Sequence, residues 1–212
     1  MKQDFICLPR KETKRTKRSL IFGRGENDAH YQVKYQTMSG EIKRCPRYGL
    51  WNSLITRAYS SRYEDRIDDI KVSEEWWSFT RFLHWYDKQK DIEGKLISHR
   101  GLMPGNLVYG PDTTCFLKPS VHNLLDMSTY NREGGLRGTQ IVRGGRYKGV
   151  LFFEGKAKAL GHHVEEKQAH KAFLIAKRRE ILFQSAKENN LEISSGLILY
   201  AQEIGESLNS TR

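Results

Sequence analysis

Residues 136–185 read as three short strand-forming runs joined by two glycine links, followed by one long amphipathic stretch. The runs span residues 136–143, 146–153 and 156–161. The links Gly144-Gly145 and Glu154-Gly155 have the length and residue types of tight hairpin loops, whose backbones need positive φ. Strands connected this closely can only lie side by side and antiparallel. Over residues 164–185, Ala169, Ala172, Phe173, Ala176 and Ile181 supply an apolar face at helical spacing. Glu165 and Glu166 stand near the start of this predicted helix and Lys177-Arg178-Arg179 toward its end, a polarity that complements the helix dipole. One side of the sheet is then covered by the helix, and the other is left to Arg and Lys.

Strand alternation nominates the outward residues. On the first strand Arg137, Thr139, Ile141 and Arg143 share a side; on the second, Arg146, Lys148 and Val150; on the third, Lys156 and Lys158. An antiparallel ribbon of this kind fits the DNA major groove, where Arg can donate two hydrogen bonds to guanine and Gln can pair with adenine. The predicted DNA contacts are Arg137, Arg143, Arg146, Lys148, Lys156 and Lys158. Gln140 joins them only if a bulge turns it outward, since it falls on the other parity. A basic hairpin that touches phosphates without sequence preference is the competing reading.

Charge points the same way. Lys and Arg number 36 against 25 Asp and Glu, a formal net charge of +11. Residues 131–186 hold twelve basic against five acidic residues, and residues 1–20 hold seven against two, so these two segments carry the excess. A polyanionic partner is implied, and double-stranded DNA is the expected one. Within the first 20 residues Lys14, Arg15, Lys17 and Arg18 are predicted phosphate contacts, with a merely solvated tail as the alternative.

Cys7, Cys45 and Cys115 are far apart and in no metal-ligand spacing, so no metal site is expected, and a reducing, cytoplasmic setting in a bacterial host is. No apolar run is long enough to span a bilayer, and the charged start does not resemble a signal peptide. Gly23-Arg24-Gly25 is read as a turn, and His162, His163 and His170 as residues of the strand-to-helix junction. Tyr31 to Tyr35 alternates in period two and leads through Ser39-Gly40 to Ile42, predicting a hairpin over residues 30–45. Pro46 opens a predicted helix with Leu50, Trp51, Leu54, Ile55, Ala58 and Tyr59 on one face. A second is predicted over residues 74–89, with Glu74 and Glu75 in its first turn and Trp76, Phe79, Leu83 and Tyr86 facing the core.

The order Asp28-Ala29-His30-Tyr31, Cys45-Pro46, Trp51, Arg57-Ala58-Tyr59, Val72-Ser73-Glu74-Glu75-Trp76, Phe79, Phe82, Trp85 resembles phage HNH-type homing endonucleases. The resemblance continues through Glu93-Gly94-Lys95, Gly105-Asn106, Val108-Tyr109-Gly110-Pro111-Asp112 and Cys115-Phe116, and covers residues 21–185. It implies a small strand-strand-helix nuclease unit that clasps a divalent metal. Where that family carries a run like Leu-Asp-Lys-Asp, this chain reads Leu96-Ile97-Ser98-His99-Arg100-Gly101, without either acid. A magnesium-type ion prefers anionic oxygen ligands, and Arg100 would repel it. If activity survives, His99, Asp112, His122 and Asn123 are the residues that would carry it, with His99 as general base. The run Leu160-Gly161 followed by Glu165-Glu166 and Ala169-His170 resembles the Apetala-like DNA-binding domain of ethylene-response factors and many homing endonucleases. In that family three strands read the major groove and a helix packs behind them.

The expected fold class is α+β, with an HNH-like strand-strand-helix core and preceding helices, then a three-stranded antiparallel sheet packed on one helix. Expected segments are a basic tail (1–20), an endonuclease-like domain (21–130), an Apetala-like domain (131–186) and a helical end (187–212). In the last, Leu197, Ala201, Ile204 and Leu208 form a stripe that packs on the chain's own core or on a second copy. The expected function is sequence-specific binding of double-stranded DNA as a repressor or occluding factor, without cofactor, cleavage or membrane contact. The alternatives are an active metal-dependent homing endonuclease and a non-catalytic RNA or nucleoprotein partner.

Overall fold

The computed structural model describes residues 5–10, 19–63, 69–131 and 133–210, and it is an α+β protein. Two compact units divide it: one runs up to Asp91 and adds Leu107–Thr113, and the other comprises Ile92–Asn106 and everything from Thr114 onward. Lys14, Arg15, Lys17 and Arg18 lie outside the described residues. Among the described residues no helix is long and apolar enough to cross a membrane.

The first unit begins with a hairpin of β1 (Lys34–Gln36) and β2 (Ile42–Arg44), closed by the Thr37 N–H donating to the Glu41 carbonyl at 2.9 Å. Helix α1 (Pro46–Tyr59) starts at Pro46 as expected, because proline's fixed φ suits the first helical position and its missing N–H is not needed there. It buries Trp51, Leu54 and Ile55, and the Trp51 indole donates to the Trp76 carbonyl at 2.7 Å. The helix predicted over 74–89 divides in two. Glu74–Trp77 form a 3-10 turn, and α2 (Phe79–Asp87) starts only after Ser78. The Asp28 carboxylate dictates this break. It accepts from the Thr80 N–H at 2.8 Å and from the Ser78 and Thr80 hydroxyls at 2.6 Å each, while the Ser78 hydroxyl also caps the Arg81 N–H. Those bonds outweigh the partial burial of Asp28 and hold its carboxyl below the usual carboxylate range. The buried stripe is consequently Trp76, Phe79 and Phe82 rather than one running on to Leu83 and Tyr86. β3 (Lys71–Val72) and β5 (Val108–Tyr109) complete this unit as a short parallel pair. Gly23-Arg24-Gly25 forms the expected turn, with Arg24 stacked over the Trp77 ring at 4.7 Å.

In the second unit β4 (Leu96–Ser98) pairs antiparallel with β6 (Cys115–Leu117), and α3 (Pro119–Leu124) follows, giving a strand-strand-helix unit. A three-stranded antiparallel sheet comes next, with β8 (Arg146–Phe153) between β7 (Thr139–Val142) and β9 (Lys156–His163). Glu154 and Gly155 both have positive φ, as a two-residue hairpin turn of matching twist requires. Helix α4 (Glu166–Lys187) packs on one face of this sheet, and α5 (Leu191–Ser210) packs on α4. Cys115, Leu117, Val121 and Leu124 share one core with Leu151, Phe173, Ile181, Leu197 and Tyr200. A boundary at residue 130 therefore runs through a continuous core, because the strand-strand-helix unit needs α4 and α5 to bury its apolar side. The terminal helix is longer than a short tail, and its Leu197, Ala201 and Ile204 are buried in that same core.

Gly138, just before β7, has φ +76°, and a Cβ built there would collide with the Phe173 ring. Gly144, in the β7–β8 loop, has φ +84° but open space around it. Gly138→Ala should thus destabilise by about 2–4 kcal/mol, combining left-handed strain with overpacking. Gly144→Ala should cost only about 1–2 kcal/mol. Urea unfolding of the two variants checks the ordering, and equal losses would show that the Phe173 ring relaxes freely.

Candidate nucleic-acid interface

The register of the three strands decides which side chains share a face. Residues paired directly across an antiparallel ladder point to the same side. The helix side is marked by Gly149, where a Cβ would stand 3.0 Å from the Ala169 carbonyl oxygen, and by Thr139, whose hydroxyl donates to the Glu166 carboxylate at 2.9 Å. Gln140 pairs with Lys148, and Lys148 with His162, so these three form one row across the opposite face. Arg146 shares that face with its partner Val142. Farther along the same face Val150 and Phe152 pair with Ala159 and Ala157, and Phe152 is exposed.

Gln140 therefore lies on the face of Lys148, contrary to the expected parity, while Thr139 and Ile141 belong to the helix side. Lys156 pairs with Phe153 and Lys158 with Leu151, which places both on the parity of the helix side, exposed along the edge strand β9. The tight turn at 154–155 sets that register. His162 reaches the outer row through a bulge: Leu160 and Gly161 together oppose the single residue Gly149, with Gly161 at φ +96°. A glycine inside a strand-forming run is the signal that could have revealed this bulge. Arg143 is exposed in the loop between β7 and β8.

Arg137 lies outside β7 and has a different set of partners. Its guanidinium pairs with the Asp126 carboxylate at 2.6 Å and donates to the Ser128 hydroxyl, and its carbonyl faces His170 Nδ1 at 2.7 Å. Burial raises the Asp126 carboxyl, but hydrogen bonds from the Ser128 N–H and Arg137 win and bring it down to about 2. Lys177, 3% exposed, donates to the Asp126 carbonyl at 2.6 Å. Burial first, and then the neighbouring charges of Arg137 and Arg100, push its ammonium down to about 8 against the attraction of Asp126. A cavity of about 410 Å3 beside the sheet is lined by Asn123, Asn131, Arg137, Gln140, Val150 and Phe152, among others.

The residues set aside for catalysis are only partly brought together. Ser98, fully buried on β4, lies 3.0 Å from His122 Nδ1 on α3, and His99 is buried next to it. Asn123 is exposed and lines the cavity, whereas Asp112 belongs to the other compact unit. Among the described residues no group of three or more His, Cys, Asp or Glu could hold a metal ion. The set Ser98, His99 and His122 supplies a hydroxyl and two imidazoles without a carboxylate, a poor fit for a magnesium-type ion. Burial pushes the Cys115 thiol up to about 12, far from the thiolate form that nucleophilic chemistry uses.

No protein-family model matches the chain, and neither the curated proteins nor the solved structures contain a match to it.

The Asp126 group makes stability pH-dependent. A carboxyl depressed in the folded protein stabilises it above its unfolded value near 3.8, and this contribution disappears as pH falls toward 2. Asp126→Asn should lower stability by about 1–2 kcal/mol at pH 6, allowing for the partial exposure of the carboxylate. The gap from the parent should shrink to a few tenths of a kcal/mol, about RT ln 2, at pH 2, where the folded carboxyl is half protonated. Urea unfolding of both proteins at these two pH values checks it; a gap independent of pH would assign the loss to packing.

Proposed function

We propose that this protein binds double-stranded DNA with sequence preference, through the outer face of the β7–β8–β9 sheet, and acts as a repressor or site-occluding factor without cutting. The observation that carries this reading is the one-sided sheet. α4 covers one face, while Arg146, Lys148, Gln140 and His162 stand together on the other. A narrow antiparallel sheet has the dimensions of the major groove, and these side chains have the donors and acceptors that base edges present. The net charge of +11, concentrated in residues 1–20 and 131–186, supports the accompanying phosphate contacts.

Binding without cleavage is supported by the residue types of the set Ser98, His99 and His122, which includes no carboxylate. The alternative, a metal-dependent nuclease, draws on the same strand-strand-helix unit, in which His99 and His122 share one fold. Selection from a random duplex library, followed by incubation of the selected DNA with magnesium or manganese, separates the two. Intact selected duplex is the expected result, and metal-dependent strand breaks would install the alternative.

On the selected site Arg146→Ala or Lys148→Ala should cost about 1–3 kcal/mol at one base position and relax preference there. Uniform weakening over all duplexes would make these residues phosphate contacts instead. Deleting residues 1–20 should reduce the steepness of the salt dependence, by about 0.9 in the log-log slope for every phosphate that the segment neutralises. An unchanged slope would show that the segment neutralises none.

A further inference from the structure

A cleft of about 590 Å3 lies in the second unit between α4, α5 and the segment leading into β7, on the helix side of the sheet. Its wall is apolar at Met127, Leu136, Leu174, Ile204 and Leu208. The α4 side adds Lys167 and Lys171, one turn apart, together with His170 and, farther along the helix, Lys177. Glu203 on α5 is the carboxylate that faces them.

The balance of charge at the inner end is uneven. Lys177 is buried and spends a hydrogen bond on the Asp126 carbonyl, while the Asp126 carboxylate is held by Arg137 at 2.6 Å and stands 3.9 Å from Arg100. The lining of the cleft itself sets Lys167, Lys171 and Lys177 against the carboxylate of Glu203, in a partly desolvated place where an added negative charge gains more than it would in water. The volume falls within the range of small-molecule sites, which combine an apolar lining with a few convergent polar groups. We infer that this cleft is a binding site for an amphiphilic organic anion, with its apolar body against Leu136, Leu174, Ile204 and Leu208 and its acidic head toward Lys171 and Lys177. A neutral molecule of the same shape would bury the same carbon but leave the cationic end uncompensated, so the anion is the preferred ligand. The inference stands apart from the DNA-binding reading, because the cleft is on the face of the sheet that α4 covers.

The test uses the full chain and four probes below micellar concentration: octanoate, octanamide, octylammonium and acetate. Calorimetric titration should give saturable one-to-one binding of octanoate, at least tenfold tighter than octanamide, with no measurable binding of octylammonium or acetate. Leu208→Trp, which places an indole in the cleft, should abolish octanoate binding with the far-ultraviolet circular dichroism unchanged. Lys177→Met should remove the preference for octanoate over octanamide. Should that variant fail to fold, Lys171→Glu at the exposed rim replaces it and should reduce the preference. Absence of saturable octanoate binding, equal affinity for octanamide, or octanoate binding that survives Leu208→Trp would each overturn the proposal.

Discussion

Lys177 reaches from the middle of α4 to the main-chain carbonyl of Asp126, and the carboxylate of that residue holds Arg137 at the entrance to β7. A buried ammonium costs several kcal/mol in desolvation, so it persists only where hydrogen bonds and nearby negative charge offset that cost. Here they join three parts of the chain: the segment after α3, the approach to the sheet, and the helix behind the sheet. Phe173, one turn before Lys177, closes on Gly138, and His170, one turn earlier again, faces the Arg137 carbonyl. β7 is thereby set against α4 before its own ladder begins.

That anchoring explains why an arginine attractive as a base-reading residue has another role. Arg137 carries a charge suited to DNA, yet its guanidinium neutralises Asp126 and its backbone turns the chain through Gly138. The outer face is left to residues farther along the strands. There the register creates two zones: Gln140, Arg146, Lys148 and His162 toward the β7–β8 loop, and Val150, Phe152, Ala157 and Ala159 toward the β8–β9 turn. Hydrogen-bonding groups thus occupy one end of the ribbon and apolar groups the other, where Phe152, Ala157 and Ala159 are exposed and Val150 is buried.

The strand-strand-helix unit does not stand alone. Ser98 on β4 and His122 on α3 stand within hydrogen-bond distance, which ties the helix to the first strand of this unit. The apolar side of this unit is completed by α4 and α5, which make it part of the core beneath the sheet. Gly196 on α5 allows that approach, because a Cβ there would collide with the Gly101 carbonyl oxygen.

Much of the local structure was legible in the residues. Glycine links at 144–145 and 154–155, helical apolar spacing after residue 164 and Pro46 at a helix start depend on backbone geometry and periodicity, which are properties of short segments. The α+β class and the three strands backed by one helix follow from them. The division at Ser78 was not legible, since it needs the carboxylate of Asp28, fifty positions away. The outward position of Gln140 needed the true start of β7, and that of His162 needed the bulge at Gly161, both settled by pairing between strands. The ion pair of Arg137 and the burial of Lys177 joined residues remote in sequence. The sequence by itself determined the elements and the distribution of charge, because these rest on neighbouring residues. Only the tertiary structure decided which charged groups face outward and which are held within, because that depends on partners supplied by distant segments.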